Sequence, residues 1–415
     1  MAAQSVRASD ELPSGFSLEL VAQDLNYPVD MAFAPPPDNR TFYVEFRTGN
    51  VRVIQDGAVV SEPWVTIPEL AIAECCQGLL GIELDPDFIE SGYVYLFYTQ
   101  VHPSSLNGVR NRIVRYTDVN GRGTDGVVLL DDLPANETHN GGSIRFAPDG
   151  TLMIWAGNIE RDGDSGSQDL RTLNGKILRI NADGSIPADN PFLTTPQARP
   201  EIFSFGHRNG FGLVPDRITT GPLRAYETEN GPFRRDELNL VYAGLNYGWN
   251  ELSNYYPDIQ TENSQQPLWI WNRKTEPEPM APTQVEQYDG NAYPLSLRGS
   301  LFVGQYHRSS GATPNRSVIR RIVVDASGNS VVSESRFLNG FLPPALSRNV
   351  IAVRQAPDGL LYFTVVNAIA NTDQKGELYR ILLTQQGLLN AIVASDSEHP
   401  LGEVIISLRR KAKIL

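Results

Sequence analysis

The segment Phe146-Ala147-Pro148-Asp149-Gly150, followed by Leu152-Met153-Ile154, decides the fold because similar phrases recur along the chain. Each copy joins two apolar runs through a Pro-Asp or Pro-Asp-Gly turn, which is the composition of a β-hairpin. The clear further copies are Phe33-Ala34-Pro35 before Phe42-Tyr43-Val44, Leu84-Asp85-Pro86-Asp87 before Tyr93-Val94-Tyr95, and Ala356-Pro357-Asp358-Gly359 before Leu361-Tyr362-Phe363. Degenerate copies lie near Leu213-Val214-Pro215-Asp216 and before Leu301-Phe302-Val303.

The spacing of these copies sets the architecture. They are roughly 50 to 80 residues apart, which is suitable for a four-stranded blade with long loops. About six copies predict an all-β, six-bladed β-propeller with four-stranded antiparallel blades, since radial closure lets one domain hold a long chain. We expect an N-terminal extension over 1–15, the propeller over 16–383, and a C-terminal tail over 384–415. The run from Ser17 to Ala22 is expected to help close the ring.

Composition excludes several classes of protein. The chain has 415 residues, a formal charge of −13 and 41% apolar residues, which is typical of a globular protein rather than a disordered one. The acidic balance argues against a nucleic-acid partner. No apolar run approaches the roughly 20 residues that cross a bilayer, so no transmembrane segment is expected. Met1 to Gly15 lacks the charged and apolar regions of a signal peptide.

Three of the five histidines lie in polar, glycine-containing loops next to predicted strands: His139, His207 and His307. A single loop histidine most often has a structural hydrogen-bonding role. Histidines on separate blades of a propeller can meet only around the central channel. The three together therefore favour a shared site there.

A series of motifs resembles the soluble glucose/sorbosone dehydrogenases and aldose sugar dehydrogenases. They run in family order over nearly the whole chain: Gln77-Gly78-Leu79-Leu80-Gly81, His139-Asn140-Gly141-Gly142, Asn174-Gly175-Lys176, Gly206-His207-Arg208-Asn209, Glu229-Asn230-Gly231-Pro232, Asp236-Glu237-Leu238-Asn239 and Asn246-Tyr247-Gly248-Trp249. The resemblance implies a six-bladed propeller that oxidises aldose sugars to lactones with pyrroloquinoline quinone (PQQ) and Ca²⁺. It also implies a small-molecule sugar substrate, an external electron acceptor, and a periplasmic or secreted location.

The resemblance assigns roles to residues of this sequence. His139 matches the general base that takes the substrate hydroxyl proton, and Arg208 matches the cation that stabilises charge developing on the quinone. Asn209 is expected to contact the cofactor as well. The carbonyl groups of Gly231 and Pro232 match ligands of the catalytic Ca²⁺. Asp236, Glu237 and Tyr247 match positions of a second, structural Ca²⁺, with a surface salt-bridge cluster as the alternative for the acidic pair.

Several positions depart from the family pattern. The acid that orients the catalytic histidine in some relatives is Asn158 here, and the glutamine before the Gly-Leu-Leu-Gly motif falls on Cys76, with Gln77 one residue later. A lysine that holds the PQQ carboxylates falls on His307, or on Arg308 if the loop slides by one residue. The corresponding Arg-x-Arg pair falls on Asn349 and Ile351, where Arg348 and Arg354 are nearby but differently spaced.

The adjacent Cys75 and Cys76 are the only cysteines. They suit either two buried, space-filling thiols or a vicinal disulfide at the channel mouth. Metal binding is less favoured, because thiolate ligands are usually two to four residues apart.

Three functions remain open from the sequence. The first is a PQQ- and Ca²⁺-dependent dehydrogenase acting on an aldose sugar or a related hydroxyl or aldehyde compound. The second is a non-catalytic propeller of the same superfamily that binds a carbohydrate or a protein. The third is a Ca²⁺-dependent lactonase, by analogy of fold alone.

Overall fold

The computed structural model describes residues 5–6, 12–73, 76–160, 166–231, 235–249, 264–272, 281–306, 317–341, 348–367 and 375–384. The strands, in chain order, are β1 (Ser5–Val6), β2 (Phe16–Asn26), β3 (Pro28–Phe33), β4 (Thr41–Glu45), β5 (Asn50–Gln55), β6 (Ala58–Val59), β7 (Val65–Thr66), β8 (Leu79–Leu84), β9 (Tyr93–Val101), β10 (Val109–Val119), β11 (Arg122–Pro134), β12 (Gly141–Phe146), β13 (Leu152–Ala156), β14 (Lys176–Ile180), β15 (Ile202–Phe205), β16 (Gly210–Pro215), β17 (Arg224–Glu229), β18 (Arg235–Tyr242), β19 (Trp269–Asn272), β20 (Ala281–Gln287), β21 (Leu301–Tyr306), β22 (Ser317–Val324), β23 (Val331–Phe341), β24 (Arg348–Gln355), β25 (Leu361–Asn367) and β26 (Lys375–Leu383). Helical structure in the described ranges is confined to α1 (Phe88–Ser91) and the 3₁₀ turns Leu106–Gly108 and Leu295–Leu297.

These strands form six antiparallel sheets, which confirms the predicted six-bladed propeller. Blade 1 contains β3 to β6, with β7 paired to β5, and blades 2 to 5 contain β8 to β11, β12 to β15, β16 to β19 and β20 to β23. Blade 6 combines β24, β25 and β26 from the end of the chain with β2 and β1 from its start. The first strand of every blade contacts the first strand of the next, and β24 contacts β3. The ring is therefore closed around a central channel.

Ring closure follows the expectation for Ser17 to Ala22. This run lies in β2, which pairs antiparallel with β26 along its length. Chain segments distant in sequence thus share one sheet, and unfolding of either end opens the ring. The predicted boundaries of the extension and the tail stay predictions, and residues 385–415 lie outside the described residues.

The core lies between the blades, in six apolar clusters that each join two neighbouring sheets. Alternation along β4 shows how this arises: Phe42 and Val44 pack toward blade 2, whereas Tyr43 packs toward blade 6. Successive strand residues point to opposite faces, and both faces of each blade are covered. This is why the second strands of most blades are rich in apolar residues, whereas β17 of blade 4 carries Arg224, Glu227 and Glu229.

A buried ion-pair network links the first strands of blades 6, 1 and 2. The Arg354 guanidinium on β24 donates to both carboxylate oxygens of Asp30 on β3, each at 3.1 Å, and to Glu83 Oε2 on β8 at 2.8 Å. Asp30 is fully buried, and Arg145 on β12 is 3.5 Å from its Oδ2. Burial alone would raise the pKa of Asp30, but Arg354, Arg145 and the hydrogen bonds to its carboxylate together hold it below its ordinary value.

Candidate active site

His139 lies in the loop that enters β12, the first strand of blade 3. Its φ is 56°, a left-handed conformation that is uncommon for a residue with a side chain. The chain passes so close here that a Cβ at Gly157 would be 1.9 Å from the His139 carbonyl oxygen, which only glycine avoids. The amide of Ile159 then donates to the same carbonyl at 3.1 Å. Two strand ends thus fix the histidine backbone.

Asn158 orients the His139 imidazole. Its side-chain oxygen is 2.8 Å from Nδ1 of His139 and also accepts the Glu160 amide at 3.4 Å. Because that oxygen can only accept, the neutral imidazole carries its proton on Nδ1 and has its lone pair on Nε2. Asn158 therefore orients the imidazole through a hydrogen bond but supplies no negative charge, unlike the acid that some relatives have at this position.

The environment keeps His139 neutral at ordinary pH. The residue is 8% exposed, and burial together with the nearby Arg208 charge lowers its pKa to about 4. The carboxylate of Glu160 opposes this, with Oε2 located 3.4 Å from Nε2. An imidazole that is neutral near pH 7 has the protonation state of a general base.

Arg208 follows a fully buried histidine in the loop between β15 and β16. Its Nη1 donates to the Asn230 carbonyl at 2.6 Å, and its guanidinium lies 5.1 Å from the centre of the Trp249 ring. Its Nη2 is 3.7 Å from Glu160 Oε1, so Arg208 and His139 both contact one carboxylate. The structure thus brings the predicted base and the predicted cation together.

Asn209 follows Arg208 in the chain, and Cys76 contacts the residue after His139. Asn209 is 5% exposed, and in the described structure its Oδ1 has no hydrogen-bond donor. The carbonyl oxygen of Cys76 accepts the side chain of Asn140, the residue after His139, at 2.8 Å. Gln77 is buried beside it. A buried acceptor without a donor fits a ligand that brings its own N–H or O–H group.

Cys76 is disulfide-bonded, in agreement with the oxidised alternative rather than with space-filling thiols. The chain's other cysteine, Cys75, lies outside the described residues.

His207 is a buried structural residue. Its Nε2 shares a 2.8 Å hydrogen bond with Ser204 Oγ, and its ring stacks on Tyr247 with centroids 4.6 Å apart. Its Nδ1 is 3.4 Å from Glu227 and 3.7 Å from Glu229, and these three ligand-type atoms lie within 4.8 Å of one another. Burial disfavours the charged ring, but the two carboxylates hold the pKa of His207 above its ordinary value. A protonated imidazole donates rather than ligates, so we interpret the trio as an ion triad.

Three of the predicted calcium ligands, Gly231, Asp236 and Glu237, lie at or beside the turn between β17 and β18. A Cβ at Gly231 would be 1.5 Å from the Arg235 carbonyl oxygen, and the Gly231 amide lies 3.2 Å from Asp236 Oδ1. Glu229 and Glu237 lie opposite one another on the paired strands. Asp236 is fully buried and the Glu237 side chain is one-fifth exposed, so the acidic pair is not a surface cluster.

Charge makes this turn suitable for a hard cation. Burial, with Glu229 next, raises the pKa of Glu237 to about 8, and burial also raises the pKa of Glu229. Like charges opposite each other on neighbouring strands repel unless a cation or a proton neutralises them. Carboxylate and carbonyl oxygens are the donors that Ca²⁺ prefers. The Tyr247 hydroxyl bonds to Tyr242 N and Leu240 O, at the other end of β18 from this turn.

The arginines closest to the expected carboxylate clamp, Arg348 and Arg354, lie on β24 of blade 6. His307, Arg308 and Pro232 are outside the described residues. Arg354 is engaged with Asp30 and Glu83, and Arg348 pairs with Glu377. Asn349, at the position of the first clamp arginine, is fully buried. Arg348 and Arg354 are thus both paired with carboxylates of the protein, which disfavours them as ligands of the PQQ carboxylates.

Sequence reasoning missed Glu160. No motif in the sequence around Glu160 marks it as part of a site. The signal that was available is the loss of an acid at Asn158, which invites a search for a carboxylate nearby.

Fold and site together define a six-bladed propeller with a buried neutral histidine beside an arginine and an oxygen-rich cation site. The model of the family "Glucose / Sorbosone dehydrogenase" matches residues 25–380. This chain belongs to that family, as its motifs indicated. Family membership supports an oxidoreductase that acts on sugars.

Individual relatives agree with this assignment. The chain is 29% identical to aldose sugar dehydrogenase YliI of Escherichia coli, over 89% of this chain and 93% of that protein. It is 30% identical to quinoprotein glucose dehydrogenase B of Acinetobacter calcoaceticus, over 59% of this chain and 54% of that protein. The structure resembles the apo-form of the soluble aldose sugar dehydrogenase from E. coli with a TM-score of 0.72 and 26% identity, over 89% of this chain and 99% of that one.

Among the described residues, helices never reach the length and apolar character that crossing a membrane requires.

Proposed function

We propose that this protein is a PQQ- and Ca²⁺-dependent dehydrogenase that oxidises an aldose sugar, or a related hydroxyl or aldehyde compound, to the lactone or the corresponding oxidised product. One observation carries the proposal: a buried, neutral His139, oriented by Asn158, lies beside the Arg208 guanidinium. An external electron acceptor and a periplasmic or secreted location belong to the same proposal.

The residues divide the chemistry between them. His139 Nε2 would take the proton of the hydroxyl group that becomes a carbonyl, while Asn158 holds the Nδ1 proton and so preserves the tautomer. Arg208 would stabilise the negative charge that would develop on the quinone as it accepts hydride, in a site of low dielectric. When bound, PQQ supplies the two-electron oxidising power for this reaction.

Residues of this chain would hold the cofactor and both Ca²⁺ ions. Arg208, Asn209, Gln77 and Cys76 would hold the quinone, which the buried Asn209 Oδ1 without a donor in the described structure supports. Gly231 and Pro232 would contribute carbonyl ligands to the catalytic Ca²⁺. Asp236 and Glu237 would hold a structural ion, for which the resemblance adds Tyr247.

A second candidate has its own observation. The two described arginines closest to the expected clamp are paired with carboxylates, which suits a ligand less anionic than PQQ. A propeller that kept the site but binds a neutral carbohydrate without oxidising it would satisfy this arrangement.

Dye reduction distinguishes the two candidates. The purified protein is incubated with PQQ and Ca²⁺ and then screened with an artificial electron acceptor over aldoses and simple alcohols. Dye reduction by at least one sugar, absent without PQQ and absent in His139→Gln, supports the dehydrogenase. Carbohydrate binding without dye reduction in any combination supports the binding protein.

A further inference from the structure

Glu160 occupies a position between the two principal groups of the site. Its Oε2 is 3.4 Å from His139 Nε2, and its Oε1 is 3.7 Å from Arg208 Nη2. The Thr138 hydroxyl donates to the same Oε2 at 2.9 Å. The carboxylate thus faces the nitrogen of the imidazole that Asn158 leaves open.

The backbone is constrained to put Glu160 there. Ile159 has φ 58° and Glu160 has φ 38°, and a β-branched residue in the left-handed region is a conformational outlier. Ile159 is 1% exposed. Its amide donates a hydrogen bond to the His139 carbonyl, and its own carbonyl accepts one from Asn136 Nδ2 at 2.9 Å. Strain of this kind persists only where the surrounding structure enforces it, and it concentrates at functional sites.

Water reaches the outer part of this carboxylate. The Glu160 side chain is 52% exposed, whereas the His139 side chain is 10% exposed. A proton on His139 Nε2 therefore has a path to solvent through Glu160. On the Nδ1 side, Asn158 is 1% exposed and accepts a proton only as a hydrogen bond.

We propose that Glu160 is the carboxylate partner of His139: it pairs with the imidazolium once Nε2 has taken the substrate proton, and it relays that proton to water. The proposal deepens the proposed function and rests on it. It assigns to Glu160 the charge that some relatives place where this chain has Asn158. The charged groups that face His139 are then Arg208 and Glu160, of opposite sign.

The proton balance of the relay is complete. The substrate O–H bond breaks as an N–H bond forms at His139 Nε2, and the C–H bond of the same carbon breaks; PQQ, the oxidant of the proposed function, would take up that hydride and be reduced by two electrons. The N–H bond then breaks as an O–H bond forms at Glu160 Oε2, and water takes that proton. The 3.4 Å distance between Glu160 Oε2 and His139 Nε2 is longer than a normal hydrogen bond. A substrate hydroxyl can therefore approach the Nε2 lone pair.

The first test measures the His139 pKa by NMR titration of the histidine ring, without added cofactor. The His139 signal is assigned by its loss in His139→Gln, since the chain has five histidines. Glu160→Gln should lower this pKa by about 0.5, the scale of a half-exposed ion pair. Glu137→Gln is the matched control, because Glu137 is an exposed glutamate two residues before His139; it should leave the pKa unchanged. The double variant Glu160→Gln/Asn158→Asp should raise the pKa again by supplying charge on the Nδ1 side.

The second test measures turnover in the PQQ-loaded protein. Glu160→Gln should lower kcat by roughly tenfold with little change in PQQ affinity, and formate in the buffer should restore part of the rate. An identical His139 pKa in wild type and Glu160→Gln overturns the contact. A shifted pKa with unchanged kcat overturns the relay. If the His139 pKa differs between wild type and Glu160→Gln but the wild type oxidises no sugar, the proposed function and the relay are both overturned, while the contact between Glu160 and His139 stands.

Discussion

Replacing Arg354 with methionine should destabilise the ring closure strongly. Methionine keeps the aliphatic stem, but five hydrogen bonds are lost: three to Asp30, one to Glu83 and one to the Ile82 carbonyl. Asp30 is fully buried and would keep Arg145, at 3.5 Å, as its nearest cation. Removing one partner of a buried ion pair costs about 3 to 5 kcal/mol, because the other charge is left uncompensated.

The pH dependence of this loss has a definite sign. In the wild type the folded pKa of Asp30 is depressed, so its contribution to stability is present above the unfolded pKa and is lost as pH falls through the folded one. In Arg354→Met the desolvation that raises this pKa is opposed by fewer charges. The variant should therefore lose more stability at pH 7 than at pH 4.

Urea unfolding at the two pH values measures both effects. The matched control is Arg380→Met on β26, in the same blade, whose pair with Glu19 at 2.8 Å is one-third exposed on the arginine side. That exposed pair should cost about 1 kcal/mol or less. Adding Asp30→Asn to Arg354→Met should recover part of the lost stability. A loss for Arg354→Met no larger than for Arg380→Met would refute the role of this network in closing the propeller.

Further predictions concern the site. His139→Gln should lower turnover by roughly 10²- to 10⁴-fold with an unchanged circular dichroism spectrum, the scale of a lost general base; full activity in this variant would remove His139 from the mechanism. Because burial and Arg208 lower the pKa of His139 to about 4, kcat/KM should be flat above about pH 5 and fall as the pH drops through 4; a fall already complete at pH 6.5 would show an unperturbed imidazole. Ca²⁺ should raise the melting temperature, with a larger effect at pH 9 than at pH 6, because Glu237, with a pKa raised to about 8, must release its proton to bind the ion; Glu237→Gln should lose the pH dependence, and an equal response in wild type and variant would exclude this ligand. Thiol titration of the denatured protein without reductant should find no free thiol, and two thiols per chain would contradict the disulfide at Cys76.

The blade architecture was accessible from the sequence because each copy of the repeat is a physical unit. Every Pro-Asp turn that was recognised joins the first and second strands of a blade, as Pro148-Asp149-Gly150 joins β12 to β13. Most second strands are buried on both faces, so their apolar runs stand out without any alternation; β17 of blade 4, with three charged residues, is the exception and was found only as a degenerate copy. The closing strand could be anticipated for the same reason, as an apolar run left over at the start of the chain.

The ion-pair network was not accessible in the same way. Asp30 and Arg354 are 324 residues apart in the chain, and no local pattern pairs them. What the sequence does show is Asp30 within one apolar strand, and Arg354 at the end of the apolar run Val350 to Val353 in another. Buried charges need partners, so each such residue predicts that a partner exists without identifying it.

The site was predicted in part. His139, Asn158, Arg208 and Asn209 came from motif resemblance, and the structure places them in one region. His207 resembled a site histidine by its loop, but its partners on β17 make it an ion-paired core residue. The position of Glu160 depends on two successive residues with left-handed backbone conformation, Ile159 and Glu160 itself. The side-chain types in the sequence do not predict this conformation.

Calorimetric titration with PQQ in millimolar Ca²⁺ tests the proposed dehydrogenase most directly. The wild-type protein should bind with a Kd of about 1 µM or tighter, which corresponds to roughly −8 kcal/mol. Arg208→Gln should weaken binding by roughly ten- to a hundredfold, the effect of one lost charge-assisted contact. Absence of detectable heat for the wild type at these concentrations, with the fold intact, would contradict a PQQ-dependent enzyme and favour a propeller that binds its carbohydrate without oxidising it.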